Sequence, residues 1–302
     1  MHLFKRKRKS PGLSVIVVFF NMRRQALRTL YSLSRAYQQV DSRHRYEVLA
    51  IDNGSSDPLT PDMVRSFGAE FSYHYVKPDH PSPCKTINQF AADCRFDNVM
   101  VLIDGARLLS PGIMRLTFSA LQFLEHPFIY TLGMHIGRRP QNYLINEGYN
   151  SWIEDELFKS IDWRRDGYSL FSISSVALSS GRGFFSQVKE SNCFALRRED
   201  FVKAGLYLPQ FQGPGGGLCN LELFNRLNAL NWVQPTMLLG EASFHQYHGG
   251  IATNIPIEQH PWKTMEKEYA SIVGTRYRPI FRPPLYFGEF HQECAELYNA
   301  GS

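Results

Sequence analysis

The feature that most constrains the fold of this chain is a regular alternation of short apolar runs with amphipathic helical patterns. The apolar runs end in polar or turn-forming residues, as buried strands do. They are LSVIVVFF (13–20), YEVLAID (46–52), FSYHYV (71–76), VMVLID (99–104) and FIYTLGM (128–134). Strands separated by helices need right-handed crossovers, which place the strands parallel. The sequence therefore predicts an α/β fold with a mostly parallel central sheet flanked by helices.

Two helix starts follow from local chemistry. Asn21 is a predicted N-cap for a helix through MRRQALRTLYSLSRAYQ, because an Asn side chain accepts from the first free N–H groups. Ser110-Pro111 predicts another helix with proline at its first position.

The alternation of strand and helix patterns is interrupted twice along the 302 residues. Residues 136–186 are rich in Gly, Arg, Ser, Trp and Tyr, so we expect an irregular insertion there. Residues 13–255 are predicted to form one domain, and residues 256–302 a C-terminal extension packing on it. The chain could also be one module of a longer polypeptide.

Positive charge is concentrated at the start of the sequence. Lys5–Lys9 (KRKRK) carry five positive charges, which equals the formal net charge of +5. Residues 1–12 are therefore predicted to be a basic disordered arm. Such an arm offers weak attraction to an anionic membrane surface. A nucleic-acid-binding protein needs basic residues spread over a folded surface, so we do not expect nucleic acid as a partner.

Cysteine usage and hydropathy indicate the compartment. The five cysteines contain no CxxC pair, which argues against a disulfide framework or a structural zinc site. The longest apolar run, residues 15–20, is far shorter than the roughly 18 residues of a membrane span. No small-residue cleavage site follows it. We therefore expect a cytoplasmic protein. Peripheral association with the inner face of the membrane is an alternative that remains open.

Polar residues follow three of the predicted strands: Asn21, Asp52 and Asp104. In an open α/β sheet, ligands bind outside the carboxyl ends of the strands. Each residue alone is also explained by a turn or a helix cap. Their joint placement on one edge predicts a binding cleft.

Five blocks in this order resemble the family-2 glycosyltransferases of the GT-A (Rossmann-like) fold. They are SVIVVFFNMRRQALRTLYSL, YEVLAIDNGSSDP, VLIDGARLLSPG, ESNCFALRREDFVKAGLY and GGGLCNLELFNRL. The resemblance implies a nucleotide-diphospho-sugar donor and transfer with inversion at the anomeric carbon. It implies that the nucleotide-binding residues are Phe19, Phe20, Asn21, Asp52, Asn53, Asp104 and Gly105, with Asp104 as the first acid of the Asp-x-Asp motif.

The second acid of that motif is replaced by Ala106, whose methyl group binds no divalent ion. Arg107 follows, and its planar guanidinium can stabilise a diphosphate directly. The alternative for Arg107 is a side chain in solvent or paired with a nearby acid.

The usual catalytic base of the family falls on Asn220, an amide without useful basicity. Asn220 is well suited to an N-cap. Glu222, two residues further along in the predicted first helical turn, is the first candidate replacement for the base, and Glu190 is the second. For Glu222 the alternative is a favourable interaction with the helix dipole.

The segment GEASFHQYHGG (240–250) contains His245 and His248, followed by two glycines. In many GT-A enzymes a histidine of this region joins the metal. Asp104, His245 and His248 are therefore the predicted ligands of a divalent cation, Mn²⁺ or Mg²⁺. A direct hydrogen bond to the diphosphate, or a purely structural role, remains the alternative.

The expected function is that of a glycosyltransferase acting on a glycan or lipid-linked saccharide in envelope polysaccharide synthesis. The alternative is a non-catalytic glycosyltransferase-like module that binds a nucleotide, a glycan or a partner domain. Ala106 and Asn220 favour that alternative. A dinucleotide-dependent oxidoreductase is disfavoured, because no GxGxxG follows the first strand.

Overall fold

Ten strands form one mixed sheet in the computed structural model, which describes residues 11–298. In chain order the strands are β1 Leu13–Phe19, β2 Tyr46–Asp52, β3 Phe71–Tyr75, β4 Asn98–Leu102, β5 Arg107–Leu109, β6 Pro127–Ile136, β7 Ser174–Val176, β8 Cys193–Arg197, β9 Gln234–His245 and β10 Leu285–Gly288.

The sheet has the order β10-β9-β6-β8-β4-β1-β2-β3, with β5 paired to β9 and β7 paired to β6. Five of its pairings are parallel: β1 with β2 and β4, β2 with β3, and β9 with β6 and β10. β8 runs antiparallel to both neighbours, and so do the short strands β5 and β7 to theirs. The predicted α/β class with a mostly parallel central sheet is confirmed.

Nine α-helices flank the sheet within residues 11–298. They are α1 Arg23–Ser32, α2 Pro61–Arg65, α3 Cys84–Asp93, α4 Ile113–Phe123, α5 Gln141–Leu144, α6 Ser151–Lys159, α7 Arg198–Lys203, α8 Cys219–Ala229 and α9 Trp262–Val273.

Both predicted helix starts are wrong by one or two residues. Met22 is the N-cap of α1, and Asn21 instead has a left-handed backbone (φ 51°) and uses its side chain to hold a neighbouring turn. Gly112 is the N-cap of α4, so Pro111 lies before the helix. Ser110, before the helix, is held by a side-chain contact: its hydroxyl donates to the buried carboxylate of Glu241.

Two hydrophobic clusters cover the two faces of the sheet. β1 shows the reason, because all seven of its residues are buried and successive side chains point to opposite faces. Ile16 and Val18 belong to one cluster, and Val15 and Val17 to the other. A strand buried on both faces reads as a continuous apolar run, and this made the sheet visible in the sequence.

Residues 136–186, expected to be irregular, contain α5, the nine-residue helix α6 and the short strand β7, joined by 3-10 turns. The segment from residue 256 contributes α9 and β10, which extends the sheet beside β9. The predicted basic arm, including Lys5–Lys9, lies outside the described residues, apart from its last two positions. None of the helices within residues 11–298 combines the length and apolar character needed to cross a bilayer.

Candidate functional site

A cleft of about 1130 Å³ opens at the carboxyl ends of β1, β2 and β4 and continues past the ends of β6 and β9. A parallel sheet brings these strand ends to one edge, which is where such folds bind ligands. On the opposite side the cleft is walled by the glycine-rich loop before α8, the loop after β9 and the start of α9. The polar side chains that line the cleft include Asn21, Asn53, Asp104, Arg107, Glu190, Asn220 and His248.

The predicted nucleotide-binding residues divide into two groups. Phe20, Asn21, Asn53 and Asp104 line the cleft, whereas Phe19, Asp52 and Gly105 do not. Asp52 is only 1% exposed, and its Oδ1 accepts from the Ser55 N–H at 2.8 Å. The acid at the end of β2 therefore supports the turn beneath the cleft wall, and the next residue, Asn53, faces the cleft.

Asn21 ties that turn to the end of β1. Its N–H donates to Ser55 Oγ at 2.8 Å, and its Oδ1 accepts from the N–H of Ser56 at 2.8 Å. Asn tolerates the left-handed backbone better than most residues, which fits its φ of 51°. The pair of contacts fixes the shape of the cleft floor beside Asn53.

The close approach of β1 explains why glycine and alanine follow Asp104. A Cβ added at Gly105 would lie 2.3 Å from the Phe19 ring and 2.6 Å from the Val18 carbonyl oxygen. Ala106 is fully buried in a hydrophobic cluster. An acid at position 106 would thus face the core, so in this chain the groups that could complete a cation site come from elsewhere.

A row of three polar side chains crosses three neighbouring strands at this edge. Arg107 on β5 pairs with His245 on β9, and His245 pairs with His135 on β6. Arg107 and His135 are each 4% exposed, and His245 is fully buried. Residues in register on adjacent strands share a face. Arg107 and His135 line the cleft, and the fully buried His245 lies between them in the row.

Asp104 approaches this row and completes a three-residue cluster with His245 and His248. Asp104 Oδ2 lies 3.1 Å from His245 Nε2, and Oδ1 lies 3.8 Å from His248 Nε2. The two Nε2 atoms are 3.2 Å apart. One ligand atom from each of the three residues fits within 4.8 Å of the others. The structure therefore brings together the three predicted metal ligands.

The protonation state of the cluster suits a cation. Burial would raise the pKa of Asp104, but the two histidines and Arg107 hold it well below its usual range, so this group is a carboxylate at neutral pH. Burial lowers the pKa of His245 to about 4 and also lowers the pKa of His248. Both imidazoles are then neutral at pH 7, the form that binds metals.

The contacts of His245 show which of its nitrogens is free. Gln141 Nε2 donates to two carbonyl oxygens, of Ile136 and His245, so Gln141 Oε1 must be an acceptor. His245 Nδ1 lies 2.9 Å from that oxygen and is therefore the protonated nitrogen. Its Nε2 presents a lone pair to Asp104 and His248. A carboxylate and two imidazole nitrogens converging in this way fit Mn²⁺ and other divalent transition ions.

Arg107 is a buried cation with unused donors. Its Nε and Nη1 have no hydrogen-bond partner among residues 11–298, and Nε lies 3.6 Å from Asp104 Oδ2. Burial lowers the pKa of Arg107, while Asp104 and Glu190 oppose that shift. Guanidinium remains charged in proteins, so the side chain places a positive charge at the cleft wall. Of the two alternatives for Arg107, exposure to solvent is wrong.

Glu222 does not line the cleft, and its contacts do not support the predicted role as base. Both of its carboxylate oxygens accept from the Arg226 guanidinium at 2.8 Å within α8. Arg226 also donates to the carbonyl oxygens of Ala204 and Leu206, so the pair fixes α8 to the chain after α7. This ion pair holds the Glu222 carboxylate in the packing of α8, and the residues that line the cleft do not include it.

Glu190 lines the cleft, and Asn220 holds it there. Asn220 is not an N-cap, because α8 is preceded by Leu218. Its Nδ2 donates to Glu190 Oε2 at 3.1 Å and to the Ser191 carbonyl oxygen at 3.0 Å. Its Oδ1 accepts from the Tyr207 hydroxyl at 2.9 Å, which fixes the orientation of the amide. The neutral residue Asn220 thus supports a carboxylate from another segment.

Sequence reasoning missed three residues of this site: His135, Gln141 and Asn254. His135 Nδ1 accepts from the Gln141 N–H at 3.0 Å, which leaves its Nε2–H directed away from that contact. None of the three belongs to a recognisable motif. The only available signal for His135 was its position directly after the predicted strand FIYTLGM (128–134).

No family model matches this sequence, and no curated protein matches it. Several solved structures resemble its fold. S. aureus TarS 1–349 in complex with UDP-GlcNAc superposes with a TM-score of 0.54 at 12% identity, covering 88% of this chain and 68% of that one. GalNAc-T7 with UDP, GalNAc and Mn²⁺ gives a TM-score of 0.52 at 14% identity, covering 89% and 48%. A longer S. aureus TarS structure gives a TM-score of 0.50 at 12% identity, with 88% of this chain covered.

The chain spans 40% of that longer TarS structure and about half of GalNAc-T7. At these identities the likeness shows the fold alone. This protein has the GT-A fold of those glycosyltransferases.

Proposed function

We propose that this protein is a glycosyltransferase that moves a sugar from a nucleotide-diphospho-sugar to an acceptor hydroxyl. The observation that carries the proposal is the convergence of Asp104, His245 and His248 in the GT-A cleft, with the charged Arg107 beside them. Leaving-group departure from such a donor develops negative charge on a diphosphate. A cation and a buried guanidinium at one wall are suited to stabilise it.

The residues take the following roles in this proposal. Asp104, His245 and His248 would hold a divalent cation, which supplies Lewis-acid stabilisation of the diphosphate when it is bound. Arg107 donates Nε–H and Nη1–H to the same diphosphate. Phe20, Asn21 and Asn53 line the nucleotide end of the cleft.

Glu190 is the proposed general base, which accepts the proton of the acceptor hydroxyl as that oxygen attacks the anomeric carbon. A single displacement of this kind inverts the anomeric configuration. Asn220 orients Glu190 and leaves its Oε1 free of any hydrogen bond within the described chain. The non-catalytic alternative depended on Ala106 and Asn220, and the two histidines and Glu190 supply the groups that those positions lack.

The proposal also covers the acceptor, the family and the cellular location. We include a glycan or lipid-linked saccharide of an envelope polysaccharide as acceptor, a family-2-like assignment, and a cytoplasmic location with weak membrane attraction through Lys5–Lys9. The acceptor class and the family-2-like assignment rest on the five sequence blocks, and the location rests on the cysteine usage, the short apolar runs and the basic run. TarS bound to UDP-GlcNAc and GalNAc-T7 bound to UDP support a uridine nucleotide as the first donor to test.

The experiment is a turnover assay with a panel of UDP-, GDP- and TDP-sugars, in Mn²⁺, in Mg²⁺ and in EDTA. We expect release of nucleoside diphosphate from at least one donor in Mn²⁺ and none in EDTA. Tight nucleotide binding without turnover of any donor, in the presence of a broad set of saccharide acceptors, would favour the non-catalytic alternative.

A further inference from the structure

The side chains of Gln141 and Asn254 form a buried amide pair behind the Asp104, His245 and His248 cluster. Gln141 is fully buried and Asn254 is 7% exposed. Asn254 Nδ2 donates to Gln141 Oε1 at 2.7 Å. We propose that this pair is a positioning device that sets both histidines as cation ligands. The inference rests on the proposed metal site and adds two residues to it.

Gln141 controls the side chain of His245. Its Oε1 accepts from His245 Nδ1–H at 2.9 Å, and its Nε2 donates to the His245 carbonyl oxygen at 3.1 Å. Gln141 therefore hydrogen-bonds both the imidazole and the backbone of His245. A second-sphere acceptor on the far nitrogen fixes the ring orientation and makes the ligating nitrogen more basic.

Asn254 controls the backbone of His248. Its Oδ1 accepts from three consecutive N–H groups, of His248, Gly249 and Gly250, at 3.0, 3.0 and 3.1 Å. This contact curls the loop after β9 so that His248 returns over His245. Gly249 has a φ of +82°, which the tight curl requires and which a residue with a side chain rarely adopts.

The amide pair joins these two actions. Gln141 lies on α5, which follows β6, and Asn254 lies in the loop that follows β9. Without their mutual hydrogen bond, neither the His245 ring nor the His248 loop is held relative to the other. The bond thus sets the 3.2 Å separation between the two Nε2 atoms.

The test measures Mn²⁺ binding directly, by calorimetry and by pulsed EPR of bound Mn²⁺, with UDP present and no turnover required. The variant is Gln141→Met, which keeps side-chain volume and removes both hydrogen-bonding groups. We expect Mn²⁺ to bind about 10- to 100-fold more weakly. The EPR spectrum should also lose nitrogen coupling relative to wild type, because the His245 ring is no longer oriented.

The matched control is Gln38→Met. Gln38 is another fully buried glutamine, which donates to the carbonyl oxygens of Ser32 and Ser110 and accepts from the Met114 N–H. We expect this variant to lose thermal stability to a similar degree while binding Mn²⁺ like wild type. Gln141→Glu provides a second variant. Burial favours its protonated form, which still accepts from His245 Nδ1 and Asn254 Nδ2 and donates an O–H towards the carbonyl oxygens that Gln141 Nε2 contacts. It should retain the nitrogen coupling that Gln141→Met loses.

Unchanged Mn²⁺ affinity in Gln141→Met, or equal weakening in Gln38→Met, would overturn the positioning role while leaving the metal site intact. Loss of nitrogen coupling in Gln141→Glu would also count against it. If the wild type itself bound no Mn²⁺, the proposed site and this inference would fail together.

Discussion

His245 Nε2 lies 3.1 Å from Asp104 Oδ2, which joins the last residue of β9 to the turn after β4. The contact exists because β5, immediately after Asp104, pairs antiparallel with the end of β9. Two histidines approach Asp104, His245 at the end of β9 and His248 in the loop after it, and position 106 is a core alanine.

Asp104→Asn should weaken Mn²⁺ binding by more than about 100-fold and abolish turnover, because an amide oxygen carries no net charge to hold the ion. Calorimetry and the nucleotide-release assay measure the two effects. Asp57→Asn is the control, since Asp57 is exposed and pairs only with Arg23 at the surface. Wild-type affinity in Asp104→Asn would remove Asp104 from the site.

Glu190→Gln should lower kcat by about 10²- to 10⁴-fold with little change in donor affinity, because it removes the proton acceptor and keeps the shape. Glu222→Gln should retain most of kcat and lose stability, since it breaks the ion pair with Arg226. Steady-state kinetics and thermal unfolding of both variants are compared. The opposite pattern, with Glu222→Gln inactive but stable, would indicate that Glu222 on α8 is the base.

Metal preference should follow the two imidazole ligands. Nitrogen ligands favour Mn²⁺ and later transition ions, whereas Mg²⁺ prefers an all-oxygen shell. We expect Mn²⁺ to bind at least about 10-fold more tightly than Mg²⁺ by competition calorimetry. Equal affinities, or tighter Mg²⁺ binding, would show that the histidines are not ligands.

Glu154 should make the protein less stable as pH rises towards neutrality. It is 1% exposed, and burial raises the pKa of its carboxyl to about 7. A folded-state pKa above the unfolded value of 4.5 contributes stability that is complete below pH 4.5 and is lost as pH rises through 7. The loss is on the order of 3 kcal/mol across this window.

Glu154→Gln should remove that slope, because an amide does not ionise and can still accept from the Tyr247 N–H, which Glu154 binds at 2.6 Å. Denaturant unfolding between pH 4.5 and 8 measures how the free energy of unfolding depends on pH in the wild type and the variant. An identical pH dependence in wild type and variant would show that Glu154 is ionised throughout. Glu156→Gln, at an exposed site of the same helix, is the control.

The sheet was predictable because the strands buried on both faces stand out as apolar runs. β1 and β2 end within one residue of their predicted bounds. The cluster of Asp104, His245 and His248 was predictable because all three residue types suit a cation and two of them lie three positions apart. Their placement in one site also needed the resemblance to glycosyltransferases.

The errors have a common physical origin. Asp52, Glu222 and Asn220 have the right residue type for a role, but the contacts that decide the role depend on how the chain packs. Glu222 forms an ion pair with Arg226, a helical neighbour whose guanidinium is oriented by carbonyl groups after α7. Asn220 is directed at Glu190 by Tyr207. Such partnerships follow from tertiary packing, which a local pattern does not contain.

The most direct measurement is anomalous diffraction at the manganese edge from crystals soaked with UDP and Mn²⁺. The account predicts one strong peak about 2.0–2.3 Å from Asp104 Oδ2, His245 Nε2 and His248 Nε2, with UDP phosphate oxygens completing the shell. A peak bound to other side chains, or ordered UDP in the cleft with no metal at these three residues, would contradict it.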